Sequence, residues 1–281
     1  MMFSNNFKYL DDLIHSGVKE IILGSDIILG EEEKSKYKNG IKLDVDDLII
    51  DGNGHVIDAC RRGRIFECTA KNVTLKNIRL KNGYTRDEGG AIVNTDKLTI
   101  EDSIFVGNTA NNGGAIFNKG DLTIINSLFR KNSAYFGIRD TYLYQCLEIC
   151  PSGGAIENNR RLTIKQSTFT ENTAEDSGGA ILNRKGELTI IESIISHNKS
   201  IRDGGAIENY GVLIIRRSKL NSNLAFDSGG AIFNLDASLR ISDSTIKDNA
   251  SIWDGAITSY CEKRFSLNRC IIEDNRPNDA Y

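Results

Sequence analysis

A six-residue pattern recurs through this chain at nearly constant spacing. GGAIVN begins at Gly89, GGAIFN at Gly113, GGAIEN at Gly153, GGAILN at Gly178, GGAIEN at Gly204 and GGAIFN at Gly229, and a degenerate copy runs Asp254-Gly255-Ala256-Ile257. Successive steps are 24, 40, 25, 26, 25 and 25 residues. A second column, most often Leu-Thr-Ile, keeps the same beat from Leu48 through Val73, Leu98, Leu122, Leu162, Leu188, Leu213 and Leu239 to Phe265. A third reads apolar-x-x-Asn, from Phe105–Asn108 to Ile272–Asn275. Three columns locked at one period define a solenoid, in which each repeat packs on its neighbours alone.

Each conserved-spacing segment is short and alternates apolar with polar residues, a period-2 pattern, and Gly, Asn, Asp or Lys residues separate it from the next. Such segments are strands rather than helices. Three of them in about 25 residues describe one triangular coil of a parallel β-helix, with equivalent strands ~4.8 Å apart in the stack. Parallel crossovers favour right-handed winding. Ile116, Leu122, Ile124 and Phe129 are expected to point inward. Paired glycines suit a sharp corner with positive φ. Two columns of asparagine, Asn94, Asn118, Asn158, Asn183, Asn209, Asn234 and Asn108, Asn132, Asn172, Asn198, Asn223, Asn249, are expected to form side-chain ladders along the stack. Ser103, Ser127, Ser167, Ser193, Ser218 and Ser244 form an inward serine column in which Cys270 takes the next place, as a buried small residue.

The first forty residues lack the repeat. Phe7, Leu10, Leu13, Ile14 and Val18 are spaced for one helix face ahead of a strand-like Glu20–Leu23, and together they read as a cap over residues 1–40. The β-helix then occupies residues 41–276, with an insertion loop at about 133–152 and a tail at 277–281. No helical pattern closes the far end, which leaves it open for self-association into a homo-oligomer or stacked scaffold. The 35 Lys+Arg against 38 Asp+Glu, and a pI near 5.8, argue against a nucleic-acid partner. No run of 18 apolar residues predicts a membrane span, and the N-terminus carries no secretion-signal pattern. Of the six cysteines, Cys146 and Cys150 lie four apart without a neighbouring histidine, which supplies two of the four ligands zinc needs. Neither a metal nor another cofactor is expected.

The column after Ala-Ile faces outward and reads Val93, Phe117, Glu157, Leu182, Glu208, Phe233, Thr258. Glu157 and Glu208 lie two coils apart, roughly 9–10 Å by strand spacing, near the ~6.5–9.5 Å of an inverting glycosidase. Leu182 stands between them and no Asp-rich or paired-Arg cluster flanks them, so we read them as solvated surface glutamates. The one long step, 40 residues, places Tyr135, Phe136, Tyr142 and Tyr144 on the insertion loop. Insertions in solenoids map to one face, often the binding face, and aromatics suit sugars or protein hot spots. The same rings could instead pack on the side wall. Asp87, Asp176, Asp203, Asp227 and Asp254 beside the glycine corners read as turn formers.

The GGAI and FxxN columns resemble the repeats of chlamydial polymorphic outer membrane proteins. The preamble from Leu48 to Asp58 with Asn72-Val73-Thr74-Leu75-Lys76-Asn77 is similar to adhesin-like proteins of methanogenic archaea. The resemblance covers roughly residues 41–275. It implies an all-β, right-handed parallel β-helix at a cell surface or outside the cell. Its function would be a non-enzymatic binding or structural module, presenting its outer faces and the 133–152 loop to a glycan or protein partner. The alternative is a carbohydrate-active enzyme of the pectate-lyase-like superfamily, whose β-helices carry lyase and glycosidase sites on an outward sheet.

Overall fold

Short alternating segments wind this chain into a right-handed parallel β-helix of about ten turns. A computed structural model describes residues 5–135, 150–260 and 264–277. Among the described residues the coils stack into three long sheets. Sheet I has eleven strands, from Asn5–Asn6 to Ile271–Glu273. Sheet II has nine, from Ile41–Leu43 to Ile257–Ser259, and sheet III has ten, from Glu20–Ile22 to Phe265–Asn268. The expectation of three strands per coil needs one addition. Five central coils carry a further two-residue strand, Thr109–Ala110 to Leu224–Ala225, which forms sheet IV. It exists because the chain stays extended between the ladder asparagine and the glycine corner, where small Ala110, Ala134, Ala174 and Ala225 bury without crowding.

Register holds across the irregular step. Ile116 pairs with Ile156, which pairs with Ile181, so the insertion leaves the stack undisturbed. Inside, like residues sit over like. Phe105, Phe129 and Phe169 stack with ring centroids 4.5 and 4.6 Å apart. Ile195, Leu220 and Ile246 continue that column, each fully buried. A buried side chain of this kind contributes about 1.5–3 kcal/mol.

The Gly-Gly corner has two separate requirements. Gly178 has φ +64°, the left-handed region, and a Cβ on Gly179 would lie 2.1 Å from the Gly205 carbonyl oxygen of the next coil. The first glycine is needed for its dihedral and the second for the close approach of two backbones.

Both asparagine ladders are present. Asn94 Nδ2 donates to Asn118 Oδ1 at 2.8 Å, and the chain of bonds continues through Asn158, Asn183 and Asn209 to Asn234. The second runs from Asn108 through Asn132, Asn172, Asn198 and Asn223 to Asn249 and on to Asn275. Each later member of that ladder also accepts the backbone N–H of the asparagine one coil earlier, as Asn172 Oδ1 does from Asn132 at 3.0 Å, while Asn108 Oδ1 accepts from Gly83 N. The serine column works similarly: Ser127 Oγ accepts from Ser103 N and donates to the Ile125 carbonyl. Cys270 extends that column but is only half-buried, because no described strand stacks beyond Ile271–Glu273 to cover it.

Helix α1 (Phe7–Ile14) covers the N-terminal end of the stack. Asn6 caps it by accepting from Tyr9 N, and Phe7, Leu10 and Ile14 bury. Val18 was expected on that apolar face but is half exposed, since the helix stops at Ile14 and Gly17 at φ +91° turns the chain away.

Candidate functional site

The outward column of sheet II is where polar chemistry gathers. Far from being solvated, Glu157 is 2% exposed and Glu208 4% exposed, with Phe117, Leu182, Phe233 and Thr258 similarly covered. This corrects the expectation of two surface glutamates. The cause is a pair of rims that flank the sheet and turn its outer face into a trough.

One rim is the residue after each ladder asparagine. Lys119, Asn159, Arg184, Tyr210 and Tyr260 stack coil on coil through backbone bonds, and their side chains fold back over the column. Arg184 Nε donates to Glu157 Oε1 at 2.9 Å, and Asn159 Nδ2 to the same oxygen at 3.1 Å. Tyr210 donates its hydroxyl to Glu208 Oε1 at 2.8 Å. Lys119 sits 4.6 Å over the Phe117 ring, and Tyr260 meets Phe233 edge-on at 5.7 Å.

The other rim precedes the glycine pair. Ser177 Oγ accepts from Asp203 N, and Asp203 Oδ1 accepts from Ser228 N at 3.1 Å, so the carboxylate ties successive coils. Asp176 pairs with Arg202 at 3.2 Å. These contacts tie one coil to the next rather than closing a turn within a coil, the role expected of Asp176 and Asp203 from the sequence. Alongside run exposed apolar side chains: Tyr135, Ile201 and Phe226 occupy equivalent places after the sheet IV strand, and Ile252 and Trp253 follow.

The electrostatics of the trough follow from that crowding. Burial, reinforced by Asp176 and Asp203, pushes the Glu208 carboxyl up to about 7 against the opposing hydrogen bond from Tyr210. Burial and then Asp227 raise Asp203. Burial, and then the neighbouring Glu208, raise the Tyr210 phenol. Arg202 is raised chiefly by Asp176. Two oxygens on the column have no hydrogen-bond partner, Glu157 Oε2 and Thr258 Oγ1. Glu157 and Glu208 are brought onto one face with Leu182, 1% exposed, filling the place between them.

Of the loop aromatics, Tyr135 lies on the ridge beside the second rim, two-fifths exposed. Phe136, Tyr142 and Tyr144 lie outside the described residues, as does Cys146. Cys150 is exposed, and burial of its sulfur together with Asp176 raises its thiol. An open depression lined by Asp51, Asn53, Asn77, Arg79 and Asp102 lies on a different corner, between sheets III and I.

Residues 102–119 and 166–184 each match the family model described as the Chlamydia polymorphic membrane protein (Chlamydia_PMP) repeat. The repeats are similar to those of the polymorphic membrane proteins. Each matched stretch holds one FxxN and the GGAIxN that follows, so what matches is the ladder asparagines, the inward phenylalanine and the glycine corner. No curated protein and no solved structure matches the chain. No helix among the described residues is long and apolar enough to cross a membrane.

The trough residues that sequence reasoning passed over are Arg184, Tyr210 and Tyr260. A signal existed. Each directly follows the six-residue pattern (GGAILN, GGAIEN or the degenerate DGAITS), at a position that varies among Thr, Lys, Asn, Arg, Tyr and Leu while the Ala-Ile before it is fixed.

Proposed function

We propose that this chain is a non-enzymatic binding module of the surface-adhesin type, and that its ligand face is the trough over sheet II. The observation that carries the reading is the trough itself: a covered polar column between a rim bearing Tyr210 and Tyr260 and a ridge bearing Phe226 and Trp253. Exposed aromatics grouped along one face suit a ligand better than a bare wall does. The likeness to polymorphic membrane protein repeats supports a cell-surface setting and a glycan or protein partner.

A glycosidase reading would make Glu208 the acid and Glu157 the base. Leu182 fills the place between the two carboxyls where an attacking water would have to sit, which favours binding over cleavage.

The test is capture on arrays of glycans and of host-surface proteins, using the wild type, a Tyr210→Ala/Trp253→Ala/Tyr260→Ala variant and an Ile194→Ala variant on sheet I. The reading expects the triple variant to stay folded at the assay temperature, by circular dichroism, and to lose the captured partner, with Ile194→Ala indistinguishable from wild type. Capture that survives the triple variant and fails in Ile194→Ala overturns it. Release of new reducing ends from a bound glycan, abolished by Glu208→Gln, would establish the enzyme instead.

A further inference from the structure

Buried oxygens without partners are rare in folded proteins, and each one asks for a donor. Two stand on the floor of this trough. Glu157 Oε2 and Thr258 Oγ1 are on the same outward column, in residues 2% and 4% exposed, four coils apart. Four coil steps span ~19 Å. Between them lies Glu208, and along the second rim Asp176, Asp203 and Asp227.

Acceptors therefore dominate, and the cations are already engaged, Arg184 by Glu157 and Arg202 by Asp176. Glu157, Glu208, Asp176, Asp203 and Asp227 outnumber Arg184 and Arg202 here, which opposes an anionic ligand. A single metal ion is equally unsuited, since among the described residues no three His, Cys, Asp or Glu side chains converge to hold one. A ligand rich in neutral O–H donors fits the inventory.

Its spacing is constrained too. An extended peptide presents side chains on one face every ~6.6 Å, out of step with coils ~4.8 Å apart. A β-1,4-linked pyranose chain advances by one ring in close to one coil step, so successive rings meet equivalent places. Arg184 and Tyr210 cover the floor but are themselves about two-fifths exposed, and such side chains change rotamer within nanoseconds. Turning them outward opens Glu157 and Glu208 and presents the Tyr210 ring on the same rim as Tyr260, across from Trp253 on the ridge.

Taking the trough as the ligand face, as proposed above, we infer that its occupant is an uncharged β-1,4-linked glycan laid along the solenoid axis. Its hydroxyls donate to Glu157 Oε2 and bond Thr258 Oγ1, and its rings stack on Tyr210, Tyr260 and Trp253.

Calorimetric titration with cello-oligosaccharides and chitin oligomers of two to six rings, and with hexalysine, tests this on the full chain. Affinity should climb with ring number until the ~19 Å floor is filled and then level off. Glu157→Gln and Thr258→Val should each weaken the longest oligomer by up to about tenfold, the loss of one hydrogen bond. Tyr260→Ala, on a side chain that is 60% exposed, should weaken it as well. If neither oligomer series binds while hexalysine or an array-captured protein binds through Tyr210 and Trp253, the glycan is wrong and the ligand face stands. If an oligomer binds but ignores the Glu157, Thr258 and Tyr260 changes, both the glycan assignment and the ligand face fall.

Discussion

Tyr210 donates its hydroxyl to Glu208 Oε1 at 2.8 Å, two residues back along the same coil. The bond lies across the first rim of the trough and joins an exposed ring to a carboxyl that is 4% exposed. It makes Glu208 the titrating group that links the outer surface to the stability of the stack.

Burial, with Asp176 and Asp203 nearby, holds the folded Glu208 carboxyl at about 7, whereas a Glu in the unfolded chain loses its proton near ~4.3. The folded state therefore binds the proton more tightly, and the stability this contributes is full below the unfolded value and lost as pH rises to about 7. The site contributes on the order of 3 kcal/mol across that window. Urea midpoints at pH 4.5, 6 and 8 should show the wild type losing stability relative to Glu208→Gln as pH rises, with the gap constant above about 7. A pH-independent gap would contradict the buried, proton-holding carboxyl.

Asn172 is fully buried and makes four ladder bonds, accepting from Asn132 N and Nδ2 and donating to Asn198 Oδ1 and the Phe129 carbonyl. Asn172→Ala strands several buried polar groups at about 1–3 kcal/mol each, so a loss of about 3 kcal/mol or more is expected. Asn172→Asp should cost more, because it sets an acceptor against the Asn198 oxygen. Denaturant unfolding of the three proteins checks the order, and an Asp variant as stable as wild type would deny the ladder its polarity.

The other ladder, which begins at Asn94, stops one coil early. Cys68 sits beside Asn94 in register, and Asn94 Oδ1 has no partner. Burial raises the Cys68 thiol to about 12, so it behaves as a neutral filler. Cys68→Asn should extend the ladder by one donor to Asn94 and raise stability by about 1 kcal/mol. A lower melting temperature for this variant would mean that the site accepts the volume of sulfur but not of an amide.

His197 is exposed and left-handed at φ 56°, one of a column with Lys131, Glu171, Ser222, Asp248 and Asp274 just before the ladder asparagine. Left-handed backbone costs an ordinary L-residue roughly 1–2 kcal/mol and asparagine less. His197→Asn should therefore stabilise by about 0.5–1 kcal/mol, read as a higher melting temperature.

The architecture was legible because its rules repeat. The glycine pair, the ladder asparagines and the inward Leu-Thr-Ile each recur in register, so one repeat interprets the next. The trough was not legible for the converse reason. Period-2 alternation placed Glu157 and Glu208 on the outward face correctly, but outward was equated with solvated, and only the neighbouring coils decide that. Arg184 reaches back from one coil further on to Glu157, a contact 27 residues apart in sequence. The left-handed columns escaped notice because Glu, Lys, Gln and Arg fill places where Gly or Asn would have announced a turn. Sheet IV escaped because two residues between an asparagine and a glycine pair are too few to show a period.

The ligand face is tested most directly by incorporating 3-fluorotyrosine and following the fluorine spectrum as the first array-captured ligand is added. Tyr210 and Tyr260 line the trough, whereas Tyr9 lies on the capping helix and Tyr84 belongs to an early coil. The account predicts that the Tyr210 and Tyr260 signals move with ligand occupancy while those of Tyr9 and Tyr84 stay fixed. Saturation of binding with Tyr210 and Tyr260 unmoved would contradict it.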